Sequence, residues 1–213
     1  MVRPPPAEPM LPLKGGGRRV RIPHRAMVLA AGFGQRLRPI TDTLPKPLVK
    51  VAGVPIIDTV LDRLAAAGVE EAVVNLHHLG HLIEAHLASR ERPAIRFSHE
   101  AEILETGGGI RQALPLLGDE PFYTVNGKIV WLNGKVDALV RLAEAWDPER
   151  MDALLLLQPT VTAVGYDGIG DFQLDQEGRV RRRRAWEVAP FLYSGIEIVH
   201  PRLFEGAPDG FFS

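Results

Sequence analysis

Ala26-Met-Val-Leu-Ala30 is a short apolar run that ends in Ala31-Gly32-Phe33-Gly34. A buried strand does this where it feeds a tight turn. Downstream, Ile57, Val60, Leu61 and Leu64 recur at i, i+3, i+4 and i+7, and Gly68 follows as a stop, which predicts an amphipathic helix. Val69–Leu76 reads as the next strand, and Leu79, Leu82, Ile83 and Leu87 mark a second helix face. Ile95–Phe97 and Phe122–Val125 are strand-like, and Val136, Leu139, Val140 and Ala143 form another helical stripe before Asp147-Pro148 breaks it. Ala153–Leu157 reads as a central strand by its apolarity. Buried strands alternating with helices predict a three-layer α/β/α sandwich around a mostly parallel mixed sheet. Phe172–Asp175 and Gly178–Arg181 flank a polar turn and read as a small accessory hairpin, and Ile196–Val199 returns to the core.

The 213 residues are 46% apolar, enough for one large core, so a disordered tail or a disulfide scaffold is excluded. Residues 1–25 carry six prolines, three consecutive glycines and six Lys or Arg residues against one acid, and are expected to form a flexible extension. Residues 26–213 are expected to form a single domain of net charge −6. That charge argues against nucleic acid and against an anionic membrane as partners. Cysteine is absent, which excludes a thiolate nucleophile and Cys-ligated zinc and suits a cytoplasmic protein. No apolar run approaches the ~20 residues needed to span a bilayer. The apolar pair Phe211-Phe212 just before Ser213 leads us to expect that the natural chain continues.

The chemistry is concentrated in Leu29-Ala-Ala-Gly-Phe-Gly-Gln-Arg-Leu-Arg-Pro39, continued by Leu44-Pro-Lys-Pro-Leu-Val49. Glycines directly after a strand let the main chain approach a ligand, and their N–H groups converge on phosphate oxygens. Arg36 and Lys46 would add two cations to that concavity. Leu37 stands where a dinucleotide fingerprint needs its third glycine, and no P-loop sequence is present.

These segments, with Leu104-Glu-Thr-Gly-Gly-Gly109, Val125-Asn-Gly127 and Gly170-Asp-Phe172, resemble the sugar-1-phosphate nucleotidyltransferases from Ala26 onward. The likeness is greatest to short bacterial members acting on N-acetylmuramate or mannose 1-phosphate. It implies a Rossmann-like fold of the nucleotide-diphospho-sugar transferase type. It also implies an enzyme joining a nucleoside triphosphate to a sugar 1-phosphate with release of pyrophosphate, with UTP favoured and GTP left open. Arg36 and Lys46 match the residues that bind the triphosphate and the incoming phosphate. Ala30, Ala31, Gly32 and Gly34 would present backbone to the nucleotide, with Glu105, Thr106, Gly107, Gly108, Gly109 and Asn126 lining the pocket from the other side. Thr106 is expected to cap the following helix and aim its N-terminus at the ligand. Gly170, Ser194 and Glu197 match sugar-side positions, whereas Asp171 reads as closing the hairpin.

The family binds a magnesium ion through an aspartate after the strand ending at Asn126. Lys128 stands there, and a second family carboxylate, expected near the C-terminus, does not occur in these 213 residues. Three accounts follow: an altered or incomplete form of an active enzyme, a variant in which Lys128 partly replaces the ion, or a silent nucleotide-binding module. His77 and His81 have the i, i+4 spacing of a zinc pair, but the histidine cluster reads as a surface helix face. Arg179 and Arg181–Arg184 read as a solvated strand with one arginine reaching the sugar phosphate, and the three tryptophans as packing residues.

Overall fold

The computed structural model describes residues 21–213. Its first strand, β1 (Arg25–Leu29), is central because Ala26, Met27 and Val28 are all fully buried. It is followed by a short two-stranded ribbon, β2 (Lys50–Val51) and β3 (Val54–Pro55), and by helix α1 (Ile56–Ala67). Gly68 ends that helix at φ +105°, donating to the carbonyls of Leu64 and Ala65. The chain continues through β4 (Glu71–Leu76), α2 (Gly80–Leu87), β5 (Ala94–His99), α3 (Glu105–Leu117) and β6 (Phe122–Asn126). It then forms α4 (Ala138–Ala145), β7 (Ala153–Pro159), the hairpin β8 (Phe172–Leu174) and β9 (Val180–Arg182), and β10 (Phe191–Val199).

The sheet order is β5-β4-β1-β6-β10-β8-β9, with β7 paired to β10. The segment β5-β4-β1-β6 is parallel, and β10 adds antiparallel to β6. Strand alternation sorts the side chains into two cores. Ala26, Val28, Ala72, Val74, Tyr123 and Val125 face α1, α2 and α4, whereas Met27, Val73, Phe122 and Val199 face Ile110, Ala113 and Leu117 of α3. This is the three-layer arrangement anticipated from the sequence. Each large side chain of α1 buried this way contributes ~1.5–3 kcal/mol.

Four expectations are corrected. The run Ala153–Leu157 lies in an edge strand, since β7 pairs with β10 alone among the described strands and is half-buried. Leu154 and Leu156 pack on the larger core, so the unbroken leucine run conceals one-sided burial. The extension expected over 1–25 ends earlier, because Ile22 is buried and Arg25 already belongs to β1; residues 1–20 lie outside the described part. His77 and His78 precede α2 instead of lying on it. Trp131 packs under the Arg63 guanidinium and Trp146 against the core, but Trp186 is 80% exposed.

Candidate active site

β1 connects to β4 on one side and is flanked by β6 on the other, so the carboxyl ends of these strands open a crevice where the strand order reverses. Register places Leu29 beside both Asn75 and Asn126. The alternation that turns Met27 and Val73 toward α3 turns Leu29, Asn75 and Asn126 the same way, and these three form the floor of a cleft of ≈ 380 Å³.

One wall is the loop after β1, from which Ala31, Gly32, Phe33, Gly34, Gln35 and Arg36 line the cleft. Gly34 turns the chain at φ +64°, and a Cβ there would lie 2.9 Å from Thr41 Cγ2. Thr41 Oγ1 in turn donates to the Gly34 carbonyl at 3.0 Å, fixing the turn. Behind the loop, Phe33 packs on His77 and His78; His77 Nδ1 donates to the Glu100 carbonyl and His78 Nε2 to that of Thr41. The histidines therefore brace the glycine loop.

Three cations enter this space. Arg36 comes from the one-turn helix Gln35–Leu37 and Lys46 from the one-turn helix Lys46–Leu48, whose Pro47 and Leu48 are buried. Lys128 reaches back from beyond β6, and its Nζ lies 3.6 Å from where a Cβ on Gly32 would stand. Burial holds the Lys46 pKa below its ordinary value of 10.5, and the charges of Lys128 and Arg36 lower it further. With Arg36, Lys46 and Lys128 all lining it, the cleft is suited to a polyanion.

A buried polar clamp joins the two walls. Asn75 Oδ1 accepts from the Ala30 N–H at 2.6 Å, and its Nδ2 donates to Glu100 Oε1 at 2.7 Å. Glu100 Oε2 accepts from the Leu104 N–H at 3.0 Å at the entry to α3. Asn75 is 3% and Glu100 5% exposed, and both line the cleft. Sequence reasoning passed over both residues. The available signal was an amide and a carboxylate at the ends of two apolar strands, where such groups need partners.

The second wall differs from expectation. Glu105 and Thr106 line the cleft, as do Asn126 and Lys128, but Gly107, Gly108 and Gly109 do not. The N–H groups of Gly107 and Gly108 donate to the Phe212 carbonyl, and a Cβ on Gly107 would stand 2.3 Å from the Phe212 ring. A Cβ on Gly109 would stand 2.6 Å from Glu100 Oε1. These glycines admit the segment 207–212 and the clamp rather than a ligand. Thr106 is not the cap: the helix starts at Glu105 with no side-chain cap, and the N–H groups of Gly107 and Gly108 in its first turn are taken by the Phe212 carbonyl. Ala30 spends its N–H on Asn75 and does not line the cleft.

The sugar-side residues also lie outside the cleft. Gly170 packs on the Ala189 carbonyl, and its own carbonyl accepts from Arg183 Nε, so that arginine is committed to the hairpin. The Asp171 carbonyl accepts from the Arg183 N–H and closes the hairpin, while its side chain accepts from the Tyr193 N–H and ties the hairpin to β10. Ser194 Oγ donates to the Leu156 carbonyl at 2.7 Å. Burial pushes the Glu197 carboxyl up to about 7, and a hydrogen bond from the Tyr193 hydroxyl opposes the shift. Only the β10 backbone meets the floor, where a Cβ on Gly195 would stand 2.5 Å from Asn126 Nδ2.

Residues 25–182 match the family described as Nucleotidyl transferase. The chain belongs to the nucleotidyl transferase family. Two curated relatives share most of this nucleotidyl transferase's length. It is 48% identical to N-acetylmuramate alpha-1-phosphate uridylyltransferase of Caulobacter vibrioides over 90% of this chain and 81% of the relative. It is 40% identical to the protein of the same name from Neisseria meningitidis serogroup B over 87% and 79%. The fold is that of the inositol-1-phosphate CTP transferase from T. maritima, at TM-score 0.72 and 17% identity over 88% of this chain and 74% of that one.

The residues present do not fit a magnesium ion. Among the described residues no three His, Asp or Glu side chains gather to hold a metal. Of the cleft carboxylates, Glu100 has both oxygens engaged by protein donors, which leaves Glu105. Magnesium requires near-octahedral oxygen coordination, and position 128 offers an ammonium. Among the described residues no helix is long and apolar enough to cross a membrane.

Proposed function

We propose that this chain transfers the uridylyl group of UTP to N-acetylmuramate 1-phosphate in the cytoplasm. An oxygen of the sugar phosphate bonds to the α-phosphorus while the α–β phosphoanhydride breaks, and pyrophosphate leaves. No covalent enzyme intermediate is needed. Two anions must approach, so catalysis rests on positioning and on fixed positive charge. The observation that carries the reading is the convergence of Arg36, Lys46 and Lys128 on the glycine loop at the carboxyl end of β1. Uridine and the N-acetylated sugar are favoured by the two relatives that share most of the chain's length. Glu105 and Thr106 would face the nucleoside. The acceptor sugar would lie on the β10 side, over Gly195 and next to Asn126, with Ser194 and Glu197 shaping that wall from behind.

The test is pyrophosphate release from four nucleoside triphosphates against N-acetylmuramate, N-acetylglucosamine and mannose 1-phosphates, with and without magnesium. UTP with N-acetylmuramate 1-phosphate is the expected pair. Release with GTP and mannose 1-phosphate alone would reassign the substrates, and nucleotide binding without release from any pair would make the domain a silent binding module.

A further inference from the structure

We propose that the cleft takes the triphosphate of its nucleotide free of a divalent ion, with the Lys128 ammonium supplying the central cation. This rests on the nucleotide reading given above. Lys128 is held where such a cation is needed: the Gly127 N–H donates to the Leu29 carbonyl at 2.9 Å, pinning the chain against the end of β1, and Nζ lies over Gly32. From there the ammonium faces the same space as Arg36 and Lys46.

Charge makes the same case. A free triphosphate carries more negative charge than its magnesium complex and so gains more from three cations in one concavity. A divalent ion near Nζ would be repelled instead. The repulsion of a doubly charged ion is about twice that of a unit charge at the same separation. Nor does the donor set offset the repulsion. Magnesium sites use one or two carboxylates with phosphate oxygens and water; Glu100 is already bound to Asn75 and to the Leu104 N–H, so among the described residues the cleft offers Glu105 as its single remaining carboxylate.

Calorimetric titration of the full chain with UTP, in EDTA and in excess magnesium, tests this on binding alone. The wild type is expected to bind in EDTA at least as tightly as in magnesium. Lys128→Ala should lose ~10-fold or more in EDTA and less in magnesium. Lys128→Asp should lose metal-free binding and tighten ~10-fold or more when magnesium is added. Wild-type binding that requires magnesium, or metal-free affinity unchanged in Lys128→Ala, overturns the inference while leaving the proposed function standing. Absence of UTP binding in both conditions, with a normal melting curve, overturns the nucleotide reading itself.

Discussion

Replacing Glu100 by Gln preserves shape and removes one acceptor from a buried clamp that contains two donors. In the native protein the carboxylate receives both Asn75 Nδ2 and the Leu104 N–H. A glutamine has one oxygen and one NH2 group, so one of those donors must face another donor. A hydrogen bond to a charged group contributes ~1.5–3 kcal/mol, and a stranded buried donor costs ~1–3 kcal/mol. The two terms overlap, so the expected loss is about 3 kcal/mol, or roughly 6–12 °C in Tm for a chain of this size. Because Asn75 also orients the Ala30 N–H at the head of the glycine loop, UTP affinity should fall ~10-fold. Adding Asn75→Asp reverses the pairing: the carboxylate introduced at position 75 accepts from the Ala30 N–H and from the side-chain amide introduced at position 100, while the oxygen of that amide accepts from the Leu104 N–H. The double variant should therefore recover most of the lost Tm. Calorimetric melting and UTP titration measure both effects. If Glu100→Gln melts with the wild type, or the double variant is no better than the single one, the clamp is not what joins the walls.

Loss of the Lys46 proton removes a cation, so turnover should decline on the alkaline side below the ordinary lysine value of 10.5; Lys128→Ala removes one depressing charge and should move that limb to higher pH, read by pyrophosphate release. Gly107→Ala places a methyl 2.3 Å from the Phe212 ring and should cost ~1–3 kcal/mol in denaturant unfolding, part of which Phe212→Ala recovers. Native Glu197 keeps its proton to about pH 7, whereas the unfolded chain releases it near 4.5. This group's stabilisation is thus full at low pH and lost as pH rises through that window, on the order of 3 kcal/mol. Glu197→Gln should flatten that slope in melting curves taken from pH 5 to 8.

The alternation of strands and helices was legible because apolar period and glycine stops report burial directly. Gly68 illustrates it, ending α1 where the periodicity ends. Arg36, Lys46, Asn126 and Lys128 were legible as a group because they sit in short motifs at strand ends, and the structure gathers them into one cleft. Position in a layer was less legible: Ala153–Leu157 has a central strand's composition, but its alternate leucines are buried on one side only. The glycines at 107–109 were misread for a related reason. A missing side chain reveals that something approaches closely, not what, and here the visitors are Phe212 and Glu100. The Asn75–Glu100 pair escaped notice because its members lie 25 residues apart and meet only through the parallel pairing of β4 with β5.

The backbone pairing of Phe212 with Leu104, Gly107 and Gly108 has a bearing on how the protein is made. Synthesis is vectorial, and the glycine loop leaves the ribosome long before residue 212 does. Until then the stretch carrying Glu105 and Thr106 lacks its outer buttress, so a nascent chain should acquire a competent nucleotide pocket late and abruptly. Arrested chains released before residue 207 would be expected to hold UTP poorly, a maturation step that can be timed on the ribosome with a fluorescent nucleotide.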